Sequence, residues 1–145
     1  MYQTTYHRAS SVAEAVKLLG DAEDGKFVAG GQTLIPTMKQ RLAAPTDLID
    51  LRHIPELNGI SVSGNEVRIG AGTTHAEVAS SIALAGICPA ICHLASHIGD
   101  PHVRHMGTIG GSLANNDPAA DYPAAVLALG ATVHTNKRDI AADDF

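Results

Sequence analysis

The period of the hydrophobic positions changes several times along the chain, and each change marks a new element. Residues 2–8 alternate polar and aromatic side chains, which predicts a short strand. Ser11 then opens a helix, because Ser11 and Glu14 stand at the spacing of a capping box. Val12, Ala15, Val16 and Leu19 follow as one apolar stripe, with Gly20 as the stop. Lys26–Ala29 reads as a strand that runs into Gly30 and Gly31. Residues 34–42 read as a helix carrying Leu34, Ile35, Met38 and Leu42 on one side, with Pro36 tolerated in its first turn. Asp47–Leu51 is a further strand of buried type, and residues 52–59 form a link.

After the link the pattern becomes a hairpin. Gly59–Ser63 and Glu66–Ile69 flank Gly64 and Asn65, a turn-forming pair. Helices are predicted at 75–85 and 87–98, an irregular glycine-rich stretch at 107–120, and a helix over Tyr122–Leu129. Ala131–Thr135 and Arg138–Ile140 form a last strand pair around Asn136 and Lys137. The expected organisation is two lobes, residues 1–58 and 59–145.

Composition narrows the picture. Hydrophobic residues make up 45% of the 145 residues, which suits a packed domain and not a disordered chain. Aromatic residues are only 3%, so the core is expected to consist of Ala, Val, Ile and Leu. A formal charge of −5 with no basic stripe excludes a nucleic-acid surface of the usual kind. No apolar run reaches the roughly 20 residues of a membrane span, and Met1–Thr5 lacks the basic start of a secretory signal. Two cysteines, Cys88 and Cys92, are too few for a disulfide scaffold. The reading is a soluble cytoplasmic protein.

Two segments carry candidate chemistry. In the first, Val28, Ala29, Gly30, Gly31, Gln32, Thr33, Leu34 and Ile35 place a glycine pair between a strand and a helix. Adjacent glycines permit positive φ and close approach of a ligand, and the helix start offers unpaired amides to a phosphate. Thr33 can cap the helix or donate to the same oxygens. No Lys follows the glycines, so this is not the P-loop pattern. An ordinary strand-to-helix turn accounts for the same residues.

The second segment is the stronger signal: Thr108, Ile109, Gly110, Gly111 and Ser112, followed by Asn115, Asn116 and the Asp117-Pro118 turn. Successive amides in such a run can form an anion-binding concavity. Asp121 stands just before a helix, as its N-cap or as an acceptor for a nucleotide. Gly70-Ala71-Gly72 imitates a dinucleotide turn, but His75 replaces the third glycine and the acidic partner is missing. His93 and His97, and Cys88 and Cys92, share an i, i+4 spacing among apolar neighbours and are read as buried thiols and a partly exposed His pair, not a metal site.

Taken in order, these motifs resemble the FAD-binding subunit of the xanthine dehydrogenase and aerobic carbon monoxide dehydrogenase family of molybdenum hydroxylases. The resemblance rests on Ala29–Pro36, Leu48–Leu51, Ile54–Leu57, Asp100–Arg104, Thr108–Gly111 and Asp117-Pro118 with Asp121. It implies an α+β, two-lobed FAD-binding fold of the PCMH or vanillyl-alcohol-oxidase-like type. It implies further that Val28–Ile35 and Thr108–Ser112 wrap the pyrophosphate of FAD, with Asp121 contacting the cofactor. Such subunits work beside an iron–sulfur subunit and a molybdopterin subunit, and pass electrons through FAD to an external acceptor. They also continue beyond the segment matched here, so this chain by itself is expected to bind FAD weakly or not at all. A cofactor-free interaction domain of the same fold is the alternative. A peptidoglycan-precursor reductase or alcohol oxidase, which shares the architecture, fits less well.

Overall fold

A computed structural model describes residues 1–145. The N-terminal part is a three-stranded parallel sheet: β1 (Thr5–Arg8), β2 (Gly25–Val28) and β3 (Asp47–Asp50) in the order β1-β3-β2. Helix α1 (Val12–Asp21) connects the first two strands, and the short α2 (Leu34–Lys39) lies on the way to the third. Thr5 and Gly25 both pair with Asp47, so the three strands run in register and their carboxyl ends form one edge. Ala9, Ala15, Ile49 and Ile54 are the buried heart of this part, with Leu18 and Leu19 packed against them.

The hairpin β4 (Ile60–Ser63) and β5 (Glu66–Ile69) forms at the expected place, with Gly64 at φ 59° in its turn. Six helices follow: α3 (His75–Ser80), α4 (Ile82–Ala85), α5 (Pro89–Ser96), α6 (Pro101–Met106), α7 (Ile109–Asn115) and α8 (Asp121–Ala128). The antiparallel pair β6 (Thr132–His134) and β7 (Asp139–Ala141) comes next, and a 3-10 turn at Ala142–Asp144 ends the chain's regular structure. A second cluster joins Val78, Leu84, Ile91, Cys92, Ala95, Ile109 and Tyr122 and is flanked by Ile60, Val67 and Ile69 of the hairpin. The mixture of helices and strands is the expected α+β class.

Several elements differ from expectation for identifiable reasons. Ser11 does cap α1 by accepting from the Glu14 amide at 3.2 Å, but the Glu14 carboxylate turns back to Ser10 instead of closing the box on Ser11. The helix runs through Gly20, and Leu18 takes the inward position expected of Val16, which is 40% exposed. Arg41 adopts φ 62° just after α2, so Leu42 falls outside the helix and is exposed. Ser81 breaks the 75–85 segment in two, because its hydroxyl accepts from the Leu84 amide and starts α4. The stretch 107–120 is not irregular: it contains α7, capped by Thr108. The core is not purely aliphatic either, since Tyr122 and Met38 are the largest fully buried side chains.

Candidate functional site

The carboxyl edge of the parallel sheet is where β2 hands over to α2, and open α/β sheets place ligands at such edges. Gly31 has φ +69°, and a Cβ there would also meet the Ile35 side chain at 2.9 Å. Gly30 is buried, and any side chain on it would collide with the Met106 carbonyl and Gly107 Cα. Four carbonyls of the loop are occupied: Leu51 N–H donates to Val28, Gln32 Nε2 to Gly30, Ile35 N–H to Gly31 and Thr37 N–H to Thr33. The amides are not. From Ala29 to Leu34 no backbone N–H donates to any protein acceptor. Thr33 makes no capping hydrogen bond, so its exposed hydroxyl is available as well.

This loop is anchored from the neighbouring strand. Asp50 pairs with Val28 in the sheet register, and its fully buried carboxylate accepts from the Tyr6 hydroxyl and from Arg52 Nη2 at 2.8 Å and Nε at 3.1 Å. Burial opposes ionisation of Asp50, but the hydrogen bonds from Arg52 and Tyr6 and the charge of Arg52 outweigh it. Together they hold the carboxyl at about 2. The ion pair is therefore present throughout the neutral range.

The second segment is built differently. Thr108 is the N-cap of α7, and its hydroxyl accepts from Gly111 N–H at 3.1 Å. Ile109 N–H donates to Thr73 O at 3.0 Å, Gly110 N–H to Ala71 O at 2.8 Å and Ser112 N–H to Thr108 O at 3.0 Å. The expected anion-binding run of amides is thus closed by the chain itself. Gly110 is needed because a Cβ would lie 2.5 Å from Ala71 Cβ. Gly111 is exposed, and within 4 Å a Cβ there would meet only Thr108 Oγ1. Asp121 lies in the first turn of α8, exposed, with Ala120 as the N-cap in its place.

The structure joins the two segments through Gly30, which rests on Met106 and Gly107 immediately before Thr108. Asp121 forms no hydrogen bond with either segment; it reaches them only through the packing of α8 on α7. The decoy Gly70–Gly72 turn is structural: Gly70 and Gly72 fit closely over Leu57 and Asn58. Sequence reasoning missed Thr73, Thr74 and His75, whose backbone meets Gly107–Ile109. The Thr74–Glu77 capping box that opens α3 was the available signal for this helix start. His93 and His97 lie with ring centroids 4.2 Å apart, Cys88 and Cys92 are free thiols, and no three potential metal ligands cluster.

Residues 2–145 match the family model described as "FAD binding domain in molybdopterin dehydrogenase". The chain is 47% identical to the carbon monoxide dehydrogenase medium chain of Afipia carboxidovorans, across 97% of this chain and 50% of that one. It is 41% identical to the nicotine 6-hydroxylase medium subunit of Paenarthrobacter nicotinovorans, across 97% and 51%. Among solved structures, a cyanide-inactivated Cu,Mo-CO dehydrogenase aligns with a TM-score of 0.93 at 44% identity, covering all of this chain and 53% of that one. Quinoline 2-oxidoreductase from Pseudomonas putida aligns with a TM-score of 0.94 at 35% identity, across 99% and 52%. The chain therefore spans about half the length of the relatives it matches.

Proposed function

Since the chain belongs to the family of FAD-binding domains of molybdopterin dehydrogenases, we propose that it holds FAD within a cytoplasmic molybdenum hydroxylase. In that assembly it stands between an iron–sulfur subunit and an external electron acceptor, with substrate oxidised on a molybdopterin subunit. The observation that carries this reading is the run of unpaired amides from Ala29 to Leu34, held where Gly30 meets Met106 and Gly107. Backbone donors with a positive-φ glycine at their centre suit a diphosphate, which needs several donors at close range.

The residues fit the cofactor in distinct ways. Ala29–Leu34 supply amides and Thr33 a hydroxyl for the pyrophosphate, with Val28 and Ile35 fixing the ends of the loop. Thr108, Ile109 and Gly110 set the backbone of the facing wall, while exposed Gly111 and half-buried Ser112 give the ligand a close approach. Asp121 accepts from the nucleotide half. Lobes 1–58 and 59–145 close on the cofactor from two sides. Bound FAD supplies reversible electron exchange, and the protein supplies its position and surroundings. No helix of the chain is long and apolar enough to cross a membrane.

Calorimetric titration of the purified chain with FAD tests this. Weak but saturable binding is expected, and Gly31→Val should weaken it while the circular dichroism of the fold is kept. Saturable binding that the substitution leaves untouched, or no binding by the complete subunit, favours a cofactor-free interaction domain.

A further inference from the structure

Gly107 has φ −64° and ψ 145°, a conformation open to any residue, so its backbone does not explain why it is glycine. The neighbour that explains it is His75. A Cβ on Gly107 would lie 2.7 Å from His75 Nε2 and 2.9 Å from Cδ2, with the Val103 carbonyl at 3.1 Å. His75 is 6% exposed and its ring stacks on Tyr122 at 5.3 Å between centroids. Its Nδ1 and the Tyr122 hydroxyl are buried without partners, so no hydrogen bond of the imidazole fixes it; stacking does.

The backbone around this ring is tied to the same turn. His75 N–H donates to Gly107 O at 3.0 Å, and Ile109 N–H donates to Thr73 O at 3.0 Å, making Thr74 and Thr108 an antiparallel bridge. Gly107 in turn receives Gly30 from the other glycine pair. Imidazole, Gly107 and Gly30 thus form one continuous line of contacts from α3 to the β2–α2 loop.

We propose that His75 is a positioning residue for the cofactor: held by Tyr122, its ring sets the Gly107–Thr108 backbone against Gly30 and so fixes the separation of the two segments that clasp FAD. The proposal rests on the FAD reading above. Burial lowers the proton affinity of His75, so the ring stays neutral at ordinary pH and adds no charge beside the diphosphate. Removing the ring leaves a void behind Gly107, and the turn can relax into it and away from Gly30.

The test compares the full chain with His75→Ala, Gly107→Ala and the double variant. FAD affinity is read by calorimetry, backbone opening by hydrogen exchange over Met106–Ser112, and stability by thermal melting. Each single variant should weaken FAD about tenfold or more and speed exchange in that segment, while exchange in β1 and β3 stays unchanged. The double variant should lose less than the product of the two, because the shortened side chain makes room for the added methyl. Unchanged exchange in both single variants, or strictly multiplicative losses in the double, overturns the proposal. If His75→Ala does not fold, Gly107→Ala perturbs the same contact with a single methyl and decides it. If the unaltered chain binds no FAD, the titration is repeated on the complete medium subunit, where absence of binding sinks the FAD reading, and the exchange comparison by itself decides whether His75 holds the turn.

Discussion

Gly30-Gly31 and Gly110-Gly111 look alike in sequence, each a glycine pair at the start of a helix, yet the fold uses them in opposite ways. Around the first pair the carbonyls of both glycines are bonded, and every amide from Ala29 to Leu34 is left without a protein acceptor. Around the second, the amides of Ile109, Gly110 and Gly111 are all taken by Thr73, Ala71 and Thr108. A glycine pair reports that something approaches the backbone closely. In both pairs the close neighbour is the chain itself, Met106 and Gly107 for Gly30 and Ala71 for Gly110, and the difference lies in the amides, bonded in the second pair and unbonded in the first. The second segment is the stronger candidate by sequence, but the first holds the free donors.

Three experiments would break or sharpen this contrast. The largest effect is expected from Gly30→Ala, whose methyl would strike the Met106 carbonyl and Gly107 Cα, backbone that cannot swing aside. A loss of about 3 kcal/mol in urea denaturation is expected, at the upper end for overpacking. A loss near zero would mean that the two segments do not meet in solution.

Acid should undo the two regions in order. His75 is buried with lowered proton affinity, so the unfolded chain binds that proton first, and stability near Gly107 falls once pH drops below about 6.5. Asp50 is held at about 2 against an ordinary 3.8, so its contribution, on the order of 2 kcal/mol, is complete above 3.8 and disappears as pH falls toward 2. Hydrogen exchange across this range should therefore show Met106–Ser112 loosening before the bonded amides beside Asp50, those of Ala9 and Leu51. The reverse order would contradict the assigned anchors.

The smallest effect belongs to Gly111→Ala. The added methyl meets only the Thr108 hydroxyl at 2.9 Å, while alanine favours a helix over glycine by about 1 kcal/mol. Denaturation should move by less than about 1 kcal/mol in either direction. By contrast, Gly31→Ala should lose about 1–2 kcal/mol for its left-handed backbone. Equal losses at the two positions would erase the distinction between an open glycine and a conformationally required one.

Much of the fold was legible because local rules and tertiary structure agree there. Gly64-Asn65 demanded a tight turn, Asp47–Asp50 read as a buried strand, and Ser11 capped its helix. Helix α7 was hidden because Gly110 and Gly111 disfavour a helix, and beside the Thr108 cap the carbonyls of Thr73 and Ala71 supply the acceptors for the Ile109 and Gly110 amides of its first turn. Those residues lie far away in sequence, so no local pattern reports them. The candidate site divides in the same way. The first loop's glycines and Thr33 could be named from the sequence, whereas the contact of His75 with Gly107 exists only in three dimensions.

The meeting of Gly30 with Met106 and Gly107 has a kinetic consequence. It joins segments separated by about half of the chain, and such contacts form only after their loop-closure entropy has been overcome. The parallel sheet and the hairpin can each form before it. The cradle is therefore expected to assemble late on folding, so that substitutions at Gly30 act on the unfolding rate and leave the folding rate nearly unchanged.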